Sequence, residues 1–269
     1  MKKIISSPVA LALFLVLSHI TTANAQWEIG ARGGLSIPNL TAGGSANNPL
    51  NTGYSSRLGP DFGVSGEYHF SHLFSLELRP EYSSQGGKKK GLQALPTPDQ
   101  LAGYFQSQGM TPPTYLYADF KSEAKLNYLL IPVLAKFGWD LGAETKWRLY
   151  AGAGPYAGFL LSAKQVTTGN SAVYLDQAAT QELPIGNQSF NNTQDLKSQL
   201  HSFNFGVDGM VGLSFAPGAL KKDKIFIEGG GNYGFLNIQK GTANGKNNTG
   251  AAVATIGYSR LLGDHRHPQ

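Results

Sequence analysis

From Trp27 onward, apolar and polar positions alternate with a period of two. In 27–36, Trp27, Ile29, Ala31 and Leu35 alternate with Glu28, Gly30, Arg32 and Gly34. In 60–70, Phe62, Val64, Tyr68 and Phe70 alternate with Gly63, Ser65, Glu67 and His69, and 74–83 and 203–215 repeat the pattern. Such runs predict strands with one apolar face. Four further segments, 124–137, 147–161, 225–237 and 250–262, are strand-like with a less regular alternation. Eight strands of about ten or more residues are long enough to cross a bilayer when tilted. The connections sort into two classes. Those at 37–59, 84–123, 162–202 and 238–249 are long, and those at 71–73, 138–146 and 216–224 are short. Short periplasmic turns alternating with long extracellular loops are the habit of outer-membrane barrels. The expected fold is all-β, an eight-stranded antiparallel transmembrane β-barrel. No repeat of 20–50 residues suggests a propeller or solenoid.

The polar face carries both signs of charge: Glu28, Arg32, Glu67, Glu77, Arg79, Glu81, Asp208, Glu228 and Arg260. It is also rich in Gly and Ser, which suits a crowded interior. An eight-stranded barrel is just wide enough for side chains to fill, so these residues are expected to pair across the lumen and plug it. Aromatic residues near strand ends (Trp27, Phe70, Tyr82, Tyr128, Trp139, Trp147, Phe215 and Tyr258) are expected to form interfacial girdles. Pro132 and Pro155 lie inside expected strands, where each removes a ladder donor, so a bulge or an unpaired position is expected at each.

Composition narrows the classes. A typical soluble domain is about 7% Gly and about 25% charged, whereas this chain has 34 Gly in 269 residues and 14% charged. With no Cys, disulfides, thiolate metal sites and a cysteine nucleophile are excluded. Residues 1–25 have a positive start (Lys2, Lys3), an apolar core through Leu17 and the small-x-small sequence Ala23-Asn24-Ala25. That is the layout of a secretory signal peptide, with cleavage expected after Ala25. The barrel domain is then 26–262 and the tail 263–269. Without Lys2 and Lys3, 20 basic residues face 17 acidic ones, too weak an excess to suggest a nucleic-acid partner.

Several segments, taken in order, resemble a known family. They are Gly30-Ala31-Arg32-Gly33-Gly34-Leu35-Ser36, Phe62-Gly63-Val64-Ser65-Gly66-Glu67-Tyr68, Leu73 through Ser83 followed by Gly86-Gly87-Lys88, Tyr128 through Phe137, and Gly154-Pro155-Tyr156. Together they resemble the PorT-like outer-membrane β-barrel family of Bacteroidota. The resemblance implies an eight-stranded barrel in the outer membrane. PorT itself is implicated in protein secretion across that membrane, most members have no assigned activity, and the family has no catalytic motif to transfer. The long segments 84–123 and 162–202 and the tail after Leu262 depart from the family pattern.

Candidate chemistry is sparse. His69 and His72 flank the first short turn, and the His265-x-His267 pair lacks further ligands. His201 with Ser202 or Ser198 is the nearest approach to a nucleophile and base, but adjacent strand residues point to opposite faces. No catalytic, cofactor or metal site is therefore expected. The candidate binding surface is the segment 84–123: the basic run Lys88, Lys89 and Lys90, and the aromatics Tyr104, Phe105, Tyr115 and Tyr117. This segment is too apolar for a free loop. It is expected to fold over the barrel mouth, with a short helix at 98–107 capped by Asp99 or Thr97. Segment 162–202 reads as a hydrated surface loop. The expected role is non-enzymatic, an interaction or structural barrel and an accessory to secretion, ahead of a small pore and a lipid-modifying enzyme. The expected partners are outer-membrane lipid, with lipopolysaccharide and secretion-machinery proteins as candidates.

Overall fold

The computed structural model describes residues 26–41, 48–50, 52–142, 145–218, 222–241 and 245–262. The signal segment 1–25 and the tail 263–269, with His265 and His267, lie outside them. The long strands are β1 (Gln26–Thr41), β2 (Gly59–His69), β3 (Phe74–Leu78), β4 (Glu81–Pro96), β5 (Tyr115–Asp140), β6 (Trp147–Thr168), β11 (Phe203–Phe215), β12 (Asp223–Gly234) and β13 (Asn248–Leu262). Four short strands, β7 (Asn170–Ser171), β8 (Val173–Tyr174), β9 (Gln188–Ser189) and β10 (Asn192–Asp195), punctuate the segment between β6 and β11. A helix, α1 (Ala102–Ser107), lies between β4 and β5.

The antiparallel pairings run β1–β2, β2–β3 and β2–β4, β3–β5 and β4–β5, β5–β6, β6–β11, β11–β12, β12–β13 and β13–β1. They return to their starting strand, so the sheet closes on itself. β3 and β4 act as one stave interrupted at Arg79–Pro80. There the Arg79 amide donates to the Pro132 carbonyl at 3.1 Å, and the Val64 amide donates to the Pro80 carbonyl at 3.1 Å. The barrel therefore has eight staves, as the alternation predicts. Closure leaves the sheet without an open edge, which hydrocarbon demands. Among the described residues no helix is long and apolar enough to cross a membrane.

Outside, a belt of large apolar side chains faces away from the barrel: Trp27, Ile29 and Leu35, Phe62 and Val64, Leu76 and Leu78, Val133 and Phe137, Val207 and Val211, Ile225 and Ile227, Ile256 and Tyr258. Along β5 the outward positions Leu129, Ile131, Val133, Ala135, Phe137 and Trp139 are apolar, and the outward positions above them, from Asn127 back to Asp119, are polar. The apolar stretch is about as long as a membrane strand requires. Trp139 and Trp147 mark its short-turn edge. Tyr128, expected in a girdle, points inward and is 1% exposed, because its parity places it opposite Leu129.

Inside, large rings lie on glycines of the next strand. Tyr150 pairs with Gly212, Tyr156 with Gly206, and Phe226 with Gly257. A Cβ on Gly257 would come within 2.2 Å of the Phe226 ring, and one on Gly212 within 2.4 Å of the Tyr150 ring. Much of the glycine excess is thus room for inward aromatics in a narrow barrel. Of the two expected forms, the prolines show the unpaired position and not the bulge. Pro132 pairs with Tyr156, pairing then lapses over the next two residues, and it resumes at Ala135–Ala153 in the same register. The register shift of this ladder sits instead at Asn127/Tyr128.

The long-loop end differs most from expectation. Most of segment 84–123 is strand and not loop. β4 and β5 continue as a paired ladder up to Pro96–Tyr115, so the hairpin stands up from the membrane band and only 97–114 is loop. A 3-10 turn at Asp99–Leu101 leads into α1, matching the expected helix in place. No side chain caps either one, and the Thr97 hydroxyl donates to the Pro113 carbonyl instead. Segment 162–202 is not simply hydrated. It lays Val173 and Leu183 against Phe105 and Leu116 in a buried cluster, flanked by Leu95, Leu101, Tyr104, Leu175, Ile185 and Phe190.

Candidate functional site

Two places concentrate polar chemistry: the lumen within the apolar belt, and the raised lobe above it. In the lumen, Arg32 reaches across the barrel to Glu81 and to Glu228 (2.8 Å), and stands 3.5 Å from Asp61. Arg79 pairs with Glu77 and lies 3.4 Å from Glu228, which also accepts from the Tyr150 hydroxyl at 3.0 Å. Lys136 lies 2.6 Å from both Glu67 and Glu77. Nearer the short-turn end, Glu28 holds Lys224 at 2.6 Å and His69 at 2.9 Å. These side chains come from β1, β2, β3, β4, β5, β6 and β12, so the network crosslinks the barrel from inside. Arg79 is 1% exposed. A cation so placed is tolerable only because several carboxylates face it.

Of the expected lumen charges, Glu28, Arg32, Glu67, Glu77, Arg79, Glu81, Asp208 and Glu228 lie on the inner face. Arg260 does not. It points outward beside Asp223, 3.5 Å away, with its side chain 58% exposed. It shares the parity of Ile256 and Tyr258, which face away from the barrel. Four lumen partners were not anticipated. Asp61 and Lys136 sat on inward positions of expected strands, Lys224 fell in an expected turn, and Tyr150 lay in a strand of mixed pattern. The signal available for Asp61 and Lys136 was parity alone.

The carboxylates of Glu28 and Glu67 and the ring of His69 bring ligand atoms within 4.8 Å of one another. Each of these carboxylates already holds a lysine, so the group reads as part of the charge network. His201 and Ser202 are both exposed. Among the described residues no hydrogen bond joins the His201 ring to Ser202 or Ser198.

In the raised lobe, strand parity divides the basic run. Lys88 and Lys90 point outward and are exposed, whereas Lys89 points inward and is 8% exposed. Its ammonium donates to the Leu50 carbonyl at 2.7 Å and lies 4.4 Å from the centre of the Tyr54 ring. Phe105 is buried at 1% exposure, so it anchors the lobe and is not available to a partner. Tyr104, Tyr115 and Tyr117 are half-buried. Arg57, unremarked in the sequence, ties the loop after β1 to the hairpin: it donates to Glu123 at 2.8 Å and to Ser84 at 2.8 Å.

Solved structures with a similar course include Neisserial surface protein A (13% identity, covering 87% of this chain and 98% of that one, TM-score 0.36). Others are the attachment invasion locus protein Ail of Yersinia pestis (11%, 86% and 97%, TM-score 0.35) and the outer membrane protein OprG from Pseudomonas aeruginosa (12%, 88% and 96%, TM-score 0.36). No curated protein matches the chain. The family model for the outer membrane protein beta-barrel domain matches residues 22–240. With that match and a closed, eight-staved barrel belted by apolar side chains, this chain belongs to the outer membrane protein β-barrel domain family and resides in the outer membrane.

Proposed function

We propose that this protein is a non-enzymatic barrel whose role is interaction, with the membrane band as a closed support and the raised extracellular lobe as its working surface. The observation that supports this most is the division of labour along β4, β5 and β6. Inside the band, oppositely charged groups span the lumen. Above it, paired strands and a separate apolar cluster build an ordered lobe. A water path would have to break ion pairs such as Arg32–Glu228 and Lys136–Glu77, which disfavours the pore. The exposed, unpaired placement of His201 disfavours the lipid-modifying enzyme.

The finer reading follows the resemblance to the PorT-like family: an accessory to protein secretion, contacted through the lobe. Lys88 and Lys90 face outward from the same lobe and would serve as its contact with outer-leaflet phosphates. The test is crosslinking of the native protein in its membrane, followed by capture and identification of what is attached. Secretion components recovered with wild type and lost with K88Q/K90Q or with changes at Tyr115 and Tyr117 support the reading. Recovery of the barrel alone, together with steady single-channel openings in a planar bilayer, overturns it in favour of a pore.

A further inference from the structure

A cavity of about 340 Å³ lies above the ion-pair network, inside the extracellular part of the barrel. Its wall combines apolar side chains, among them Ala124, Leu126, Leu200 and Ile238, with the side-chain amides of several Gln and Asn residues. Its polar lining is neutral apart from one group. The amides of Gln93 and Gln165 are held by the Phe120 carbonyl (2.7 Å) and the Ser122 hydroxyl (3.0 Å). The exception is Lys89. No carboxylate lines the cavity among the described residues, and none pairs with Lys89. Its partners are the Leu50 carbonyl and the face of Tyr54, both weaker than a carboxylate for a cation taken out of water.

Among the described residues, every other strongly buried cation has its acid: Arg32, Arg57, Arg79 and Lys136 all face carboxylates. Lys89 is the exception, and it is also the one that borders a void. A chamber at the lower end of small-molecule pocket sizes, lined by apolar side chains and neutral amides around a single charged anchor, has the composition of a ligand site. We propose that this cavity binds a small amphiphile with one anionic head, of which a medium-chain carboxylate is the simplest form. The head pairs with Lys89, and the apolar body lies against Leu126, Leu200 and Ile238. The site stands independently of the interaction role, because it lies inside the barrel and not on the surface of the lobe.

Burial pushes the Lys89 ammonium down to about 8, so the anchor is charged at neutral pH and is lost as pH rises past that value. The test uses radiolabelled octanoate in equilibrium dialysis against the full chain in nanodiscs, with empty nanodiscs subtracted. Wild type takes up octanoate saturably, about one per chain. K89M binds about tenfold more weakly, and K89R keeps binding because it keeps the charge. Neutral octanamide binds wild type about tenfold more weakly than octanoate. A124F fills the chamber and abolishes uptake while leaving Lys89 in place. Retention of heat-modifiable gel mobility shows that each variant is folded. If K89M fails to fold, the octanoate–octanamide comparison on wild type still decides. Equal binding of the two compounds, wild-type binding by folded K89M, or no saturable uptake above empty nanodiscs overturns the site.

Discussion

The same strand has two lives. Below Asn127, β5 faces lipid with Leu129, Ile131, Val133 and Phe137, while Lys136 reaches into the lumen and pairs with Glu67 and Glu77. Above it, the outward positions are Asp119, Lys121, Glu123 and Lys125, while Leu116, Ala118, Phe120 and Leu126 are buried. The backbone pairing hardly changes, but the solvent does. Within the band the barrel is inside-out, and the expensive groups are charges that must be paired. Within the lobe it obeys the soluble rule, and stability rests on apolar burial. One register shift, at Asn127/Tyr128, marks the change.

This contrast can be broken selectively. The largest effect is expected from R79A, which removes one of the two cations that face each of the buried carboxylates of Glu77 and Glu228. It should cost about 3–5 kcal/mol, read from urea unfolding of the chain folded into lipid vesicles. A comparable loss, about 3–5 kcal/mol, is expected for F105A, with a different signature. Protease cleaves the segment 175–187, while the barrel keeps its heat-modifiable mobility, because Phe105 belongs to the cluster above the band. Next comes a lysine placed on the outside. V133K, in the middle of the belt, should cost about 2–4 kcal/mol, and D119K, at an exposed outward position above it, about 0–1 kcal/mol. Equal costs would mean that the solvent does not change at Asn127. The smallest effect on stability belongs to K88Q/K90Q, within about 0.5 kcal/mol, since both side chains are exposed. Any loss they cause should appear in binding to anionic glycolipid vesicles.

The band was readable in the sequence because lipid and lumen impose opposite demands on alternate positions. Runs such as 27–36 and 203–215 therefore declare both their strand and their parity. The lobe was harder. Residues 116–126 alternate as cleanly as any strand, yet they fall within the expected long connection 84–123. The reason is that a bilayer sets a minimum strand length and no maximum. Segment 162–202 holds few apolar residues without a period. Val173 and Leu183 become core only where Phe105 and Leu116 arrive from another hairpin, and no local pattern announces that. Among the lumen charges, sign and strand were legible, but partners were not: Arg32 meets Glu228 across 196 residues of sequence. The charge of Arg260 suggests the lumen, but its parity with Ile256 and Tyr258 sets it outside. In the basic run, parity alone separates buried Lys89 from its exposed neighbours.

The most direct test of the change of environment along β5 uses the absence of native cysteine. Single cysteines at the outward positions 119, 121, 123, 125, 127, 129, 131, 133, 135, 137 and 139 would each carry one spin label in a liposome-embedded barrel. Labels at 129–137 should be relaxed by oxygen, which concentrates in lipid, and labels at 119–125 by a water-soluble nickel chelate, with the crossover at Asn127. A crossover displaced by several residues, or chelate access throughout 129–137, would contradict a membrane band that ends where the strand changes its rule.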